Sequence, residues 1–328
     1  MKGTLAKTVA VLLVVVAAFG AAAVYQASGI GRIEKAYAPA GRFIDVGGGR
    51  LHIVELGHDN APAVVLLHGA SANLQDMRFS LGDGLSAHYH VILVDRPGHG
   101  WSDRPDGARD AAPGQQAKLI HVALDRIGVR RAILVAHSWS GALALAYALA
   151  YPREVAGLVL LAPLAYPQQR TVAWYSNLIS ALLAQSGQIA ESPVMGPLFT
   201  RTLLYPVGKL LLRLAVRSAF APQRPPPDYI AKTAEELLLR PSNFIANGQD
   251  IALIDGYLKA QAPKYARIDA PTAIITGDSD AVLSADANAK RLVKVLPHAG
   301  LTVLPGVGHM VQYAAPDRVI QAVEEIAK

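Results

Sequence analysis

Apolar residues recur along this chain in short runs that alternate with longer segments of helical length. Residues 63–67, 90–94, 132–137, 155–162, 271–276 and 300–304 are near-continuously apolar. Such runs predict strands buried on both faces. Residues 115–127, the apolar stretch 142–151 and residues 315–327 predict helices. Strands separated by helices imply an α/β fold with a mostly parallel sheet covered on both faces. Upstream, residues 42–46 and 51–56 predict a hairpin around Gly47-Gly48-Gly49. Those glycines read as a turn between edge strands, because neither G-x-G-x-x-G nor a Walker lysine-serine follows.

The alternation stops between 166 and 263. There the pattern is helical and proline-broken, with helix pieces at 180–183, 203–220 and 229–239, split by Pro222 and Pro225-Pro226-Pro227. This predicts a helical insertion after the sixth strand. Lys209, Arg213 and Arg217 recur every four residues on one helical face. The pattern suits an ordinary amphipathic surface helix; the alternative is a helix that rests on, or draws substrate from, a membrane surface.

At the N-terminus, Lys2 and Lys7 precede an uncharged stretch from Thr8 to Ile30. Its apolar core, 9–25, is long enough for one bilayer crossing, which takes about 17–25 residues. A retained signal-anchor helix is the favoured reading. A signal peptide cut near Ala21-Ala22-Ala23 comes second, and a soluble amphipathic helix third. In the first two the basic flank stays cytoplasmic and the remainder is exported. Residues 27–40, with Gly29, Gly31 and Pro39, read as a juxtamembrane linker.

Composition narrows the options. The chain has 328 residues, 52% hydrophobic and 17% charged, enough for one large α/β domain plus an insertion. It has no cysteine, which excludes disulfides, thiolate metal sites and a cysteine nucleophile. Its formal charge is +6, yet no basic run or basic-aromatic interleaving suggests a nucleic-acid partner. Anionic lipid accounts better for the excess.

The chemistry gathers where the strands end. The run 132–137 enters Ser138-Trp139-Ser140-Gly141, a strand-to-helix turn with small residues Ala136 and Ser140 on either side of the serine. That is the setting of a nucleophile elbow, in which the oxygen stands above the sheet edge at a helix N-terminus. Glycine is commoner at both flanking positions. Other strands run into His68-Gly69-Ala70, Asp95-Arg96-Pro97-Gly98-His99-Gly100-Trp101-Ser102, Gly277-Asp278-Ser279-Asp280 and Pro305-Gly306-Val307-Gly308-His309. A serine hydroxyl needs a base within hydrogen-bond reach, and His309 is the candidate.

Together these motifs resemble the α/β-hydrolase superfamily, from about residue 41 to the C-terminus, and the order Ser138, Asp280, His309 matches that of its triad. The resemblance implies Ser138 as nucleophile, His309 as base and Asp280 as the acid that orients it, with Asp278 the rival acid. It implies an oxyanion hole from the backbone N–H groups of Ala70 and Trp139. The Trp139 side chain either walls an acyl pocket or simply packs in the core. His68, His99 and His137 read as structural. His88 and His90 read as a solvated strand edge rather than a metal pair, and no cofactor or metal is implied. The organisation that follows is an anchor at 1–30, a linker at 31–40, a hydrolase core at 41–165 and 264–328, and a cap at 166–263.

The expected activity is hydrolysis of a carboxylic ester with an apolar acyl or alcohol group, through an acyl-enzyme. Alternatives are C–C bond, lactone or amide cleavage, cofactor-free perhydrolysis, or a catalytically silent binding protein. Epoxide and haloalkane chemistry is disfavoured, because those relatives carry an aspartate where Ser138 stands.

Overall fold

Strands that are apolar at every position must be covered on both faces, and the chain gathers them into one sheet. The computed structural model describes residues 2–167 and 195–328. Its eight strands are β1 (Arg42–Asp45), β2 (Arg50–Leu56), β3 (Ala63–Leu67), β4 (His90–Val94), β5 (Ala132–His137), β6 (Val155–Leu161), β7 (Thr272–Gly277) and β8 (Ala299–Leu304). They lie in the order β1-β2-β4-β3-β5-β6-β7-β8. Only the β1–β2 and β2–β4 pairings are antiparallel. The other five are parallel, so β3 to β8 all end on one side. Every residue of β4 and β5 is buried.

Two apolar layers cover the sheet. Helices α2 (Pro113–Arg126) and α3 (Ser140–Ala150) pack through Ile120, Leu124, Leu143 and Tyr147 onto Leu134 and Leu160. On the other face, Met77, Leu81 and Leu85 join Val319 and Val323 over Leu66, Leu93 and Val135.

The insertion between β6 and β7 holds α4 (Met195–Thr202), α5 (Leu204–Phe220) and α6 (Pro241–Gln261), and no strand among its described residues. The piece expected at 180–183 lies outside the described residues. The helix expected over 229–239 breaks into one turn at Tyr229–Lys232 and a 3₁₀ segment at Glu235–Leu239. The chain turns at Ala234, whose φ is +51°, and the Asn73 amide donates to the carbonyls of Thr233 (2.9 Å) and Ala234 (3.1 Å) there.

The expected linker is not a linker. Helix α1 runs unbroken from Lys2 to Ala36 and carries both Gly29 and Gly31. Its second half packs on the insertion. The Gln26 side-chain oxygen accepts the Tyr205 N–H at 2.6 Å, Ile33 is buried beside Leu204 and Leu237, and Glu34 pairs with Arg240 at 2.9 Å. A Cβ on Gly29 would stand 2.5 Å from the Tyr205 ring, so glycine is there for close approach. Tertiary contact outweighs its cost of about 1 kcal/mol in a helix. The first half of α1, including Val9 to Phe19, is exposed, and the stretch is long and apolar enough to cross a membrane.

A buried cluster ties the insertion to the core. The Tyr229 hydroxyl meets Asp76 Oδ1 (2.7 Å) and Glu235 Oε1 (3.1 Å), and the Tyr313 hydroxyl meets Asp76 Oδ1 at 2.9 Å. Burial, then Asp76, push the Glu235 carboxyl well above its usual range. Burial also raises Asp76, against the bonds from Tyr229 and Tyr313. The folded protein therefore keeps protons that the unfolded chain releases near pH 4. The stability they give is full below that pH and is lost as pH rises through the raised folded values. Glu235→Gln keeps an acceptor for Tyr229 and removes one titration. Thermal melts across pH should show a shallower decline above pH ~4 for the variant than for the parent chain.

Candidate active site

The parallel order places the C-terminal ends of β3, β5, β6, β7 and β8 along one edge of the sheet, and the candidate residues follow β3, β5, β7 and β8 there. Ser138 sits at the turn from β5 into α3 with φ +54°, strained for a residue with a Cβ. Backbone bonds hold it there: its N–H donates to Leu161 O, and its carbonyl accepts from Gly141 and Leu164, all at 2.9 Å. A Cβ on Gly141 would meet Pro163 Cβ at 2.7 Å, and one on Gly69 would meet Ser138 Cβ at 3.1 Å. The elbow therefore uses small residues where two loops pass it.

His309 Nε2 lies 2.9 Å from Ser138 Oγ, and His309 Nδ1 lies 2.7 Å from Asp280 Oδ2. Asp280 Oδ1 accepts the N–H groups of Val282 (2.8 Å) and Leu283 (2.9 Å), which fixes its other oxygen on the ring. Burial would push the Asp280 carboxyl up, but His309 and the two N–H donors outweigh it and hold it below its usual value. Asp278 instead accepts from Ser279 Oγ (2.9 Å) and Gly306 N–H (2.7 Å), bracing the turn. The structure thus brings Asp280, not Asp278, to His309. A Cβ on Gly277 would stand 1.9 Å from Val307 O, and one on Gly308 would stand 2.0 Å from Ala221 O. These glycines let the two loops and the insertion meet.

Among the described residues, neither the Ala70 N–H nor the Trp139 N–H donates to a protein acceptor. The Trp139 side chain packs in the core at 2% exposure, its ring 4.2 Å from the Arg96 guanidinium carbon and its indole N–H donating to Asp250 O at 3.2 Å. Of the two readings of that side chain, packing is the one observed.

The neighbouring histidines have structural partners. Buried His68 accepts the Arg96 N–H at 3.0 Å, and burial drives its pKa well down. Burial and neighbouring Arg96 do the same to His99. His137 Nε2–H donates to His309 O at 3.2 Å, and burial lowers its pKa to about 3, so it braces the loop that carries His309 as a neutral ring. His90 departs from expectation. It begins a central strand, is buried, and faces Glu55 at 3.1 Å; only His88 is solvated. Among the described residues no group of three or more potential ligands could hold a metal.

Two features escaped the sequence. In the D-x-x-G-x-G-x-S loop, buried Asp95 accepts from Leu74 N–H (2.8 Å), Trp101 N–H (2.9 Å) and His52 (2.7 Å). A Cβ on Gly100 would stand 2.1 Å from that carboxylate, which explains its glycine. A cavity of approximately 240 Å³ lies beside His52 and Asp95, lined by neither Ser138 nor His309. His52 has both ring nitrogens on acceptors, Asp95 and Ala40 O, and carries no free chemistry there.

The second feature is Arg96. Fully buried, its guanidinium donates to the carbonyls of His68 and Gly69 (both 3.2 Å), to Gln116 (3.0 Å) and to Asp250 of α6 (2.6 Å). One turn away on α6, Asn247 accepts the Ser71 N–H at 2.6 Å. The loop that carries Ala70 is therefore gripped at both ends by groups attached to α6. The only signal was an arginine beside the Asp95 motif. Asp250→Ala would leave buried guanidinium groups unpaired and should cost about 3–5 kcal/mol in denaturant unfolding.

Comparison with known proteins agrees with this architecture. The family model for the α/β hydrolase fold matches residues 62–316. A 2-hydroxy-6-oxononadienedioate/2-hydroxy-6-oxononatrienedioate hydrolase from Burkholderia vietnamiensis is 27% identical over 289 residues, 85% of this chain and 91% of that protein. Epoxide hydrolase A of Mycobacterium tuberculosis is 30% identical over 166 residues, 48% of this chain and 52% of that protein. A solved structure of a membrane phospholipase A, a bacterial virulence factor, superposes with TM-score 0.65 at 23% identity, covering 100% of this chain and 98% of that one. With its family match spanning well over half of its length, the chain belongs to the α/β-hydrolase fold family.

Proposed function

We propose that this hydrolase cleaves carboxylic esters through an acyl-enzyme on Ser138. The observation that carries the reading is the continuous line Ser138 Oγ, His309, Asp280, at 2.9 and 2.7 Å. Ser138 attacks the ester carbonyl while His309 Nε2 takes its proton. Asp280 holds the Nδ1–H tautomer and offsets the imidazolium charge that forms. The negative oxygen of the tetrahedral intermediate is received by the N–H groups of Ala70 and Trp139, each worth about 3–4 kcal/mol in such a site. His309 then returns the proton to the departing alcohol, and water reverses the sequence to release the acid.

The preference for an apolar acyl or alcohol group rests on what stands beside His309. Phe220, at the end of α5, is buried with Tyr229 and with Met310, the residue after the base. The membrane phospholipase likeness lends the lipid-ester reading some weight. C–C bond cleavage is the second reading, favoured by the likeness to the dienedioate hydrolase along most of both chains. An aspartate-based alkyl-enzyme is disfavoured by the serine at position 138. We also read α1 as a retained anchor that leaves the catalytic domain on the exported side, with Lys2 and Lys7 cytoplasmic.

An organophosphonate probe should label Ser138 and nothing else. Ser138→Ala should lower p-nitrophenyl ester turnover by about 10⁴-fold or more with an unchanged melting profile. Retention of most activity would overturn the assignment of the nucleophile. Across esters of rising chain length, kcat/KM should climb; activity confined to a dienedioate-type diketone would favour the second reading. Asp280→Asn should reduce kcat by about 10⁴-fold, and Asp278→Asn should change it little.

A further inference from the structure

Helix α5 shows two faces. Leu204, Leu212, Val216 and Phe220 are buried against the protein. The opposite face carries Leu203, just ahead of the helix, then Val207, Leu210 and Leu214, exposed by 47%, 38%, 74% and 52%. Their spacings of four, three and four residues place all of them on one stripe. A soluble surface helix puts charge there. Here the charges, Arg213 and Arg217, line one side of the stripe, and among the described residues neither guanidinium has an ion-pair partner. Lys209 is turned away to Glu236.

The stripe begins where α1 leaves the body of the protein. Tyr25 of α1 meets the Tyr205 ring edge-on at 5.6 Å, and Gln26 accepts the Tyr205 N–H. Tyr205 is two residues from Leu203. Beyond this crossing the first half of α1 is exposed and apolar. The stripe therefore starts within one helical turn of the crossing, on the side of α5 away from the Tyr205 contact. A bilayer crossed by the exposed half of α1 would lie next to the start of α5. An apolar stripe bordered by arginines suits a membrane interface, and anionic headgroups suit the arginines.

We propose that the Leu203–Val207–Leu210–Leu214 face of α5 docks into the headgroup region of an anionic bilayer, giving the insertion a second membrane contact besides α1. The proposal rests on the anchor reading of α1 and is independent of the reaction at Ser138.

The absence of cysteine makes the test direct. Full-length protein carrying Leu210→Cys is labelled with a polarity-sensitive fluorophore and reconstituted into vesicles of phosphatidylcholine and phosphatidylglycerol. Val14→Cys reports on α1. Asn60→Cys, exposed in the loop entering β3 at the sheet edge opposite Ser138, reports on water. The expected result is a blue shift and quenching by brominated lipid at positions 14 and 210, with neither at 60. Replacing phosphatidylglycerol by phosphatidylcholine should weaken quenching at 210 and leave 14 unchanged. Quenching at 14 with free iodide access at 210 would overturn the docking face and keep the anchor. A blue shift at 210 without lipid quenching would mean that protein covers the stripe, and would overturn it too. No lipid quenching at 14 would overturn both.

Discussion

One buried guanidinium holds the working parts of this molecule together. Arg96 reaches the carbonyls of His68 and Gly69, lies over the ring of Trp139, and pairs with Asp250 on α6. These partners come from three different elements: the loop after β3, the elbow after β5, and the insertion. A buried charge is tolerable only when its donors are answered, so these partners are not free to move independently. The two backbone N–H groups proposed to receive the reacting oxygen lie on the two loops that Arg96 touches. A movement of α6 would therefore be felt at both.

The sheet supplies the complementary constraint. Parallel strands end on one side, so residues 171 positions apart, Ser138 and His309, meet without any long excursion of the chain. Glycine is used where those endings crowd. Gly277 lies against Val307 O, Gly308 against Ala221 O, and Gly100 against the Asp95 carboxylate. At Ser138 the strain of a positive φ is accepted, and three backbone hydrogen bonds hold it in place.

Much of this was legible in the one-dimensional pattern. Buried parallel strands need side chains that are apolar on both faces, and such runs stand out against any background. The strands ending before Ser138, Asp280 and His309 were located to within a residue or two for that reason. The break at Thr233–Ala234 was not legible, because the turn there is a left-handed alanine whose neighbouring carbonyl is bound by Asn73, 160 positions away. The continuation of α1 through Gly29 and Gly31 was hidden for the same reason: glycine reads locally as a helix breaker, yet here Gly29 makes room for the Tyr205 ring, while Gly31 faces open space. His90 reads as a solvated edge beside His88 because no metal motif accompanies the pair, and the pairing of β4 between β2 and β3 buries it.

Periodicity and local turn chemistry were enough for the α/β architecture, for the position of the helical insertion and for the order in which Ser138, Asp280 and His309 follow their strands. The sequence by itself left the choice between Asp278 and Asp280 to resemblance, and it was silent on the fate of the Trp139 ring and the role of Arg96. Those were decided by packing between distant segments. Two carboxylates two residues apart are alike until backbone N–H groups aim one of them at a histidine, and an arginine is only a charge until the fold buries it.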